Sequence, residues 1–341
     1  MIIIMKNTIN NIVKYLVFVS CLTYAQTIRP LWLDNPKSVY PEELYLTAIG
    51  EGDNRDEAEK NAVANLSLVF ESSIKVENEL VQNYKELISD NTSEYNKQSE
   101  FSNNISISST QTLYNIQYAE NYTDHLGHVY VLAFIDRSET AEIYIKKIRS
   151  NDERVTYYMN KAQENADLLL HYAYLKAAAV IGQLNRSMAT QLEIISSSVA
   201  DKIQFSYNLN NLLLITSEAA KNVSFQINIQ NDSNEGIKNL ISELINAEGF
   251  VINSSPILSI NGSINFEKIS LNRSGQFIRW TLSLTLENTH GDTILSLSKN
   301  GREGSITYEE AEARSLRSIQ RIMKDIFIRD IDDYFTKLAG A

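Results

Sequence analysis

The sequence predicts an α+β fold: two small α/β sandwich domains, each a helix packed on a mostly antiparallel sheet, joined by an antiparallel helical segment. Three observations lead there. The apolar period switches along the chain between two residues and about 3.6, so strands and amphipathic helices interleave. Proline (4) and glycine (12) are scarce among 341 residues, which leaves long uninterrupted elements. From Ser138 to about Ser198 there is no proline and a single glycine, Gly182, so that stretch predicts two or three antiparallel helices. A hydrophobic content of 43% is ample for folded cores. The formal charge of −11 is spread without an acidic tail and argues against nucleic acid as a partner.

Residues 1–25 read as a secretory signal peptide. Lys6 and Lys14 precede the apolar run Tyr15 to Leu22, which is too short for a bilayer span of about 20 residues, and Thr23-Tyr24-Ala25 offers a cleavage site. A second reading takes Phe18-Val19-Ser20-Cys21 as a lipoprotein box with Cys21 as the lipidated first residue. Cys21 is the single cysteine, so no disulfide or thiolate metal site forms within one chain.

Residues 26–43 hold three of the four prolines and predict an extended arm, with Trp32 and Tyr40 anchoring it to the next domain. That domain, residues 44–137, opens with an apolar strand from Leu44 to Ile49, ended by Gly50 and Gly52. Asn54 followed by Glu57 has capping-box spacing, and Ala58, Ala62, Leu66, Val69 and Phe70 then recur at helical intervals. Alternation at Ile74, Val76, Ile105 and Ile107 predicts paired strands, Tyr84 to Asn104 a hairpin tip, and "HVYVLAFID" a second buried strand. Residues 138–215 are the helical connector. Residues 216–341 form a second α/β domain of strand, helix and three strands, closed by a long helix capped by Thr307 with Glu310. Its apolar stripe is Ile319, Met323, Ile326, Phe327, Ile331 and Phe335.

Gly50-Glu51-Gly52 before a helix raises the question of a phosphate loop. A dinucleotide fingerprint wants a third glycine at position 55, which is Arg55, and no Walker lysine follows. Glu51, Asp53 and Asp56 would repel a phosphate at the helix N-terminus. The expectation is therefore a structural turn: Gly52 serves the turn, Asn54 and Glu57 the cap, and Ala58 with Ala62 the close approach of helix to sheet. Of the four histidines, His125 and His128 share the turn "DHLGH" with Asp124 but have no third remote ligand in view. His171 lies in an apolar helix and His290 in a turn. No GxSxG, HExxH or EF-hand spacing occurs. No catalytic residue, cofactor or metal is expected.

"RPLWLDNP" followed by "VYPEELYLTAIGEGDNRDEAEKNAVANL" resembles the Lpp-twenty lipoprotein family, whose domain also forms the N-terminal part of the flagellar assembly protein FlgT. The matching features are Pro30-x-Trp32, Tyr45, Gly50-x-Gly52, and Ala58, Ala62 and Leu66, over about Arg29 to Ile148. The resemblance implies a cell-envelope protein without catalytic residues, periplasmic or anchored through Cys21 and associated with the outer membrane or flagellar basal structures. Its partners would be other envelope proteins. Two rival readings are a regulatory accessory of an envelope enzyme, and an enzyme whose carboxylates assemble from distant residues.

Overall fold

A computed structural model describes residues 29–70 and 113–340, apart from 120, 233 and 273. The leader 1–25, Cys21, the strands expected around Ile74 and Ile105 and the hairpin tip all lie outside the described residues. The chain is α+β and divides into two compact units, one of residues up to 71 with 115–140, the other of residues 72–114 with 141–341.

The first unit begins with two single-turn helices, α1 (Leu31–Asp34) and α2 (Pro36–Val39). This corrects the extended arm. Pro36 sits at the first helical position, where its fixed φ and missing N–H are no handicap, so proline starts a turn here rather than extending the chain. The anchors stand where expected: Trp32 is 8% exposed, and Tyr40 lies against Tyr45 at 5.4 Å and Phe134 at 5.0 Å.

Strand β1 (Tyr45–Gly52) is followed by α3 (Arg55–Leu68). Two short strands, β2 (Gln117–Tyr118) and β3 (Tyr122–Thr123), and the long β4 (Val129–Asp136) complete the described sheet. β1 and β4 pair antiparallel over their whole length, Tyr45 opposite Asp136 and Gly52 opposite Val129. Alternation places Val129, Val131, Ala133 and Ile135 toward α3, where Ala58, Ala62 and Leu66 are fully buried. Tyr45 and Phe134 fall on the other face, which Tyr40 covers.

The second unit is built on α4 (Arg137–Glu164) and α5 (Leu168–Ile195), whose first four residues, Arg137 to Thr140, count with the first unit. Asp167 caps α5, accepting from the N–H groups of Leu169 (2.8 Å) and Leu170 (3.1 Å). The two helices are tied by buried polar groups. Tyr144 donates to Gln191 Oε1 at 2.7 Å, and Asn185 Nδ2 donates to the Ile148 carbonyl at 3.0 Å. A short α6 (Ser197–Ala200) leads to α7 (Leu209–Ala220), which packs on α5.

The boundary expected at residue 215 falls inside α7, and the helices do not form a separate connector. Ala178 and Ile181 of α5 and Leu212 of α7 share one core with the elements that follow. A helix as apolar as α5 needs more cover than a neighbouring helix supplies, and the sheet domain provides it.

That sheet runs β6-β5-β7-β8-β9, with β5 (Ser224–Gln230), β6 (Val251–Ile252), β7 (Leu258–Ile269), β8 (Gln276–Asn288) and β9 (Thr293–Ser305). β5 is parallel to β6 and β7, whereas β7, β8 and β9 form an antiparallel meander. Helix α8 (Gly236–Ala247) bridges β5 to β6 and ends before Gly249, whose φ of +86° suits the left-handed residue after a helix. Asp232 rather than a conventional cap starts α8, its Oδ2 accepting from Ile237 and Lys238 at 3.0 and 2.8 Å.

The terminal helix has three parts: α9 (Tyr308–Ile322), a π-helical segment (Met323–Ile328) and α10 (Arg329–Gly340). Thr307 caps it as expected, accepting from the Glu310 N–H at 3.2 Å. Its buried residues recur every fourth position, from Ala311, Ser315 and Ile319 through Met323 and Phe327 to Ile331, Phe335 and Ala339. At 3.6 residues per turn, a spacing of four overshoots by about 40° per step, so the stripe winds round a straight helix. The wider turn of the π segment takes part of that rotation back. The stripe thus faces β8 and β9 along α9 and faces α5 along α10.

Burial also sets a pH limit. Tyr207 sits beside α5, and burial pushes its phenol up to about 12, against a hydrogen bond from Asn185 that works the other way. Burial and the nearby Asp332 and Glu248 carboxylates push Tyr172 higher still. Both folded-state values lie above the unfolded value of about 10, so their contribution is complete below pH about 10 and is lost as pH rises toward the folded values. Urea melts taken across the alkaline range should show stability falling above pH about 10, with a shallower fall in Tyr207→Phe. Equal slopes in the two proteins would contradict this assignment.

Candidate functional site

The strand-to-helix turn of the first unit is filled by its own groups. Gly50 lies under α3 so tightly that a Cβ there would stand 2.1 Å from the Ala62 nitrogen and 2.2 Å from the Ala58 oxygen. A Cβ at Gly52 would meet the Ala58 nitrogen at 2.7 Å and the Glu57 side chain at 2.8 Å. Both glycines belong to β1 and pair with β4, so neither ends the strand as the sequence reading expected. Their missing side chains serve helix–strand contact, the role that reading gave only to Ala58 and Ala62, and both alanines are fully buried against the strand.

The cap is occupied as well. Asn54 Oδ1 accepts from the Glu57 N–H at 3.0 Å, and Glu57 Oε2 accepts from the Asp53 N–H at 3.1 Å. The box is shifted by one residue, since Glu57 reaches Asp53 rather than the cap itself. Farther along α3, Asn61 and Asn65 donate to the Glu51 and Ile49 carbonyls at 2.7 and 2.8 Å. The amides and carbonyls that a phosphate or another strand would use here already have partners.

Beside the turn, the structure brings together residues that sequence spacing did not. His128 Nδ1 lies 3.4 Å from Glu51 Oε1, both roughly half exposed. Tyr130 also bonds Glu51, and partial burial first, then the Glu51 and Asp124 charges, push its hydroxyl up. Asp124 closes the "DHLGH" turn by accepting from Leu126 (2.8 Å) and His128 (3.0 Å). Its partial burial opposes ionisation, but those two backbone bonds prevail and hold its carboxyl below the usual range. Among the described residues, no group of three or more metal-binding side chains occurs. His171 Nδ1 is 2.7 Å from the Ala162 carbonyl, a helix-end contact, and the His290 N–H donates to Asn288 in a turn.

The second unit has a shallow cavity of about 380 Å³ on the wet face of its sheet, lined by Gln230, Asn261, Ser263, Ser283, Thr285 and Ser298 among others. Its side chains are already bonded in a row. Asn228 donates to Asn261 Oδ1 (3.0 Å), Asn261 donates to Glu287 Oε2 (2.9 Å), and Thr285 donates to Glu287 Oε1 (3.0 Å). Such a surface offers hydrogen bonds but neither a nucleophile beside a base nor a cation. The sequence signal for it was only the polar phase of three alternating strands.

These features define an α+β chain whose best sequence candidate for a chemical site is a packing joint. No model of a known protein family matches the chain, and no curated protein matches it. Three solved structures are similar. The secreted protein HP1454 from Helicobacter pylori is 15% identical, with 83% of this chain and 98% of that chain covered and a TM-score of 0.42. A minor lipoprotein from Acinetobacter baumannii is 14% identical, covering 35% and 90%, with a TM-score of 0.22. Lipoprotein GNA1162 from Neisseria meningitidis is 8% identical, covering 30% and 99%, with a TM-score of 0.22.

Proposed function

We propose that this chain is a non-enzymatic bacterial cell-envelope protein that acts as a structural or assembly factor, in the periplasm or at the outer membrane, in the manner of the Lpp-twenty and FlgT domain. One observation carries the reading. The turn that most resembles a ligand loop is closed by Ala58, Ala62, Asn54 and Glu57, so the strand and helix meet where a ligand would have to enter. The leader read at residues 1–25 and the arm with Trp32 support export and family. What remains for function is surface, and surface recruits partners.

The test is crosslinking in cells with mass-spectrometric identification of the captured proteins, paired with the mass of the mature N-terminus. Recovery of outer-membrane or flagellar basal components supports assembly, and recovery of a single cell-wall enzyme would transfer the chain to the regulatory reading. A mature chain starting at Gln26 makes it periplasmic, whereas an acylated Cys21 anchors it. Hydrolysis of a nucleotide or glycan by the purified protein, abolished in Glu51→Gln or His128→Ala, would overturn the proposal.

A further inference from the structure

Cations on the helices of this protein are, as a rule, paired. Arg55 binds Glu59, Lys60 binds Asp56, Lys176 binds Asp332, Lys221 binds Glu218 and Lys238 binds Glu235. The outer face of α9 departs from that rule. Arg314, Arg317, Arg321 and Lys324 follow at intervals of three, four and three, and all four are exposed. These intervals put them on one side of the helix over roughly 15 Å, opposite the buried Ala311, Ser315 and Ile319.

Only Arg314 has bonded partners, the Gly304 carbonyl at 3.1 Å and Glu310 at 3.8 Å, while Arg317 feels Glu310 at longer range. Among the described residues, Arg321 and Lys324 make no ion pair, and Asp325, four residues beyond Arg321, is not bonded to it. Like charges three and four apart destabilise a helix slightly. The fold gains nothing visible from holding them in a row, and it does so in a chain whose net charge is −11.

The row lies on a convex helix face rather than in a cleft, so it fits a broad anionic surface better than a small anion, which needs convergent donors. The neighbouring edge strand β9 is a poor seat for an added peptide strand. Arg314 already takes the Gly304 carbonyl, and Lys299 is turned toward the helix face of the sheet, opposite Leu282, which is how native edges are blunted. Just before α9, Ile306 is 84% exposed, an apolar side chain beside the basic row.

From this we infer that α9 is a membrane-facing surface, on which Arg314, Arg317, Arg321 and Lys324 bind the phosphate headgroups of an anionic bilayer. The inference rests on the envelope reading for its setting, but its chemistry is independent of any protein partner.

The experiment is flotation of the purified protein with vesicles of phosphatidylcholine alone and of phosphatidylcholine with phosphatidylglycerol, at low and high salt. The expected result is association with the anionic vesicles that weakens with salt and falls about a hundredfold in Arg317→Gln/Arg321→Gln/Lys324→Gln. The variant's circular dichroism should be unchanged, because the three side chains are exposed. A lipid chain on Cys21 would carry the protein to both vesicle types, so the quantity read is the difference between them. No such difference in the parent protein, or one that survives in the triple variant, overturns the inference. Crosslinks lost in the variant without any vesicle binding by the parent would assign the row to an acidic protein instead. Vesicle binding with no envelope protein captured in cells would leave the lipid surface standing and remove the assembly role.

Discussion

Replacing Gly50 by alanine should destabilise the first unit by about 3 kcal/mol, at the upper end of what overpacking costs. The added methyl would stand 2.1 Å from one backbone atom of α3 and 2.2 Å from another. A side chain in that position could rotate away, but a helix backbone can yield only by lifting the whole element. Lifting α3 would break the Asn61 and Asn65 bonds to β1 and open the layer around Ala58 and Ala62. Hydrogen exchange at the paired amides of β1 and β4 reads the effect directly. Gly52→Ala should be milder, because two of its three closest contacts belong to the Glu57 side chain. Unchanged protection in Gly50→Ala would mean that the helix does not lie on this strand as described.

Phe335→Ala should cost the second unit about 3–5 kcal/mol, the range for emptying a large aromatic site. Phe335 is fully buried where three parts of the fold converge, with its ring 4.8 Å from Tyr172 of α5 and 5.6 Å from Phe250 at the start of β6. Tyr172 and Phe250 also touch each other at 5.2 Å, so the three rings form a closed set that cannot collapse without moving a helix. Lys176 closes one side, paired with Asp332 and 6.0 Å from the Phe335 ring. Denaturant melts give the size of the loss, and near-ultraviolet dichroism shows whether the tyrosine environment goes with it. A loss below 1 kcal/mol, typical of a surface change, would mean that α10 is not clamped here.

How far the sequence could be read depended on the range of the forces involved. The Asn54 and Thr307 caps are short-range signals, set within three residues, and both were legible. Strand and helix class were legible where burial is one-sided, as in β8 with its alternation from Phe277 to Leu286. The arm was misread because the turn-starting and chain-extending uses of proline look alike until Trp32 and Tyr40 find their pockets. Gly50 and Gly52 were recognised, but their role was only half visible. A glycine needed for a tight turn and one needed for contact with a helix sixteen residues long in the chain leave the same letter in the sequence. The fusion of the helical stretch with the second sheet was invisible, since local periodicity does not say which distant surface will cover an apolar helix such as α5. The hydrogen-bonded row at Asn261, Thr285 and Glu287 comes from strand register, which alternation alone does not fix.

The π-helical turn at Met323–Ile328 implies a constraint on chain length. It holds more residues in its turn than an α-helix would need, which is equivalent to an insertion absorbed inside a helix. Deleting one residue there would let the turn rewind, and everything beyond would rotate by about 100° and retreat about 1.5 Å along the axis. Phe335 would swing off Tyr172, and Asp332 off Lys176. Related sequences with this fold can therefore change length freely between elements, but within this one helix the residue count from Ile319 to Phe335 must be conserved.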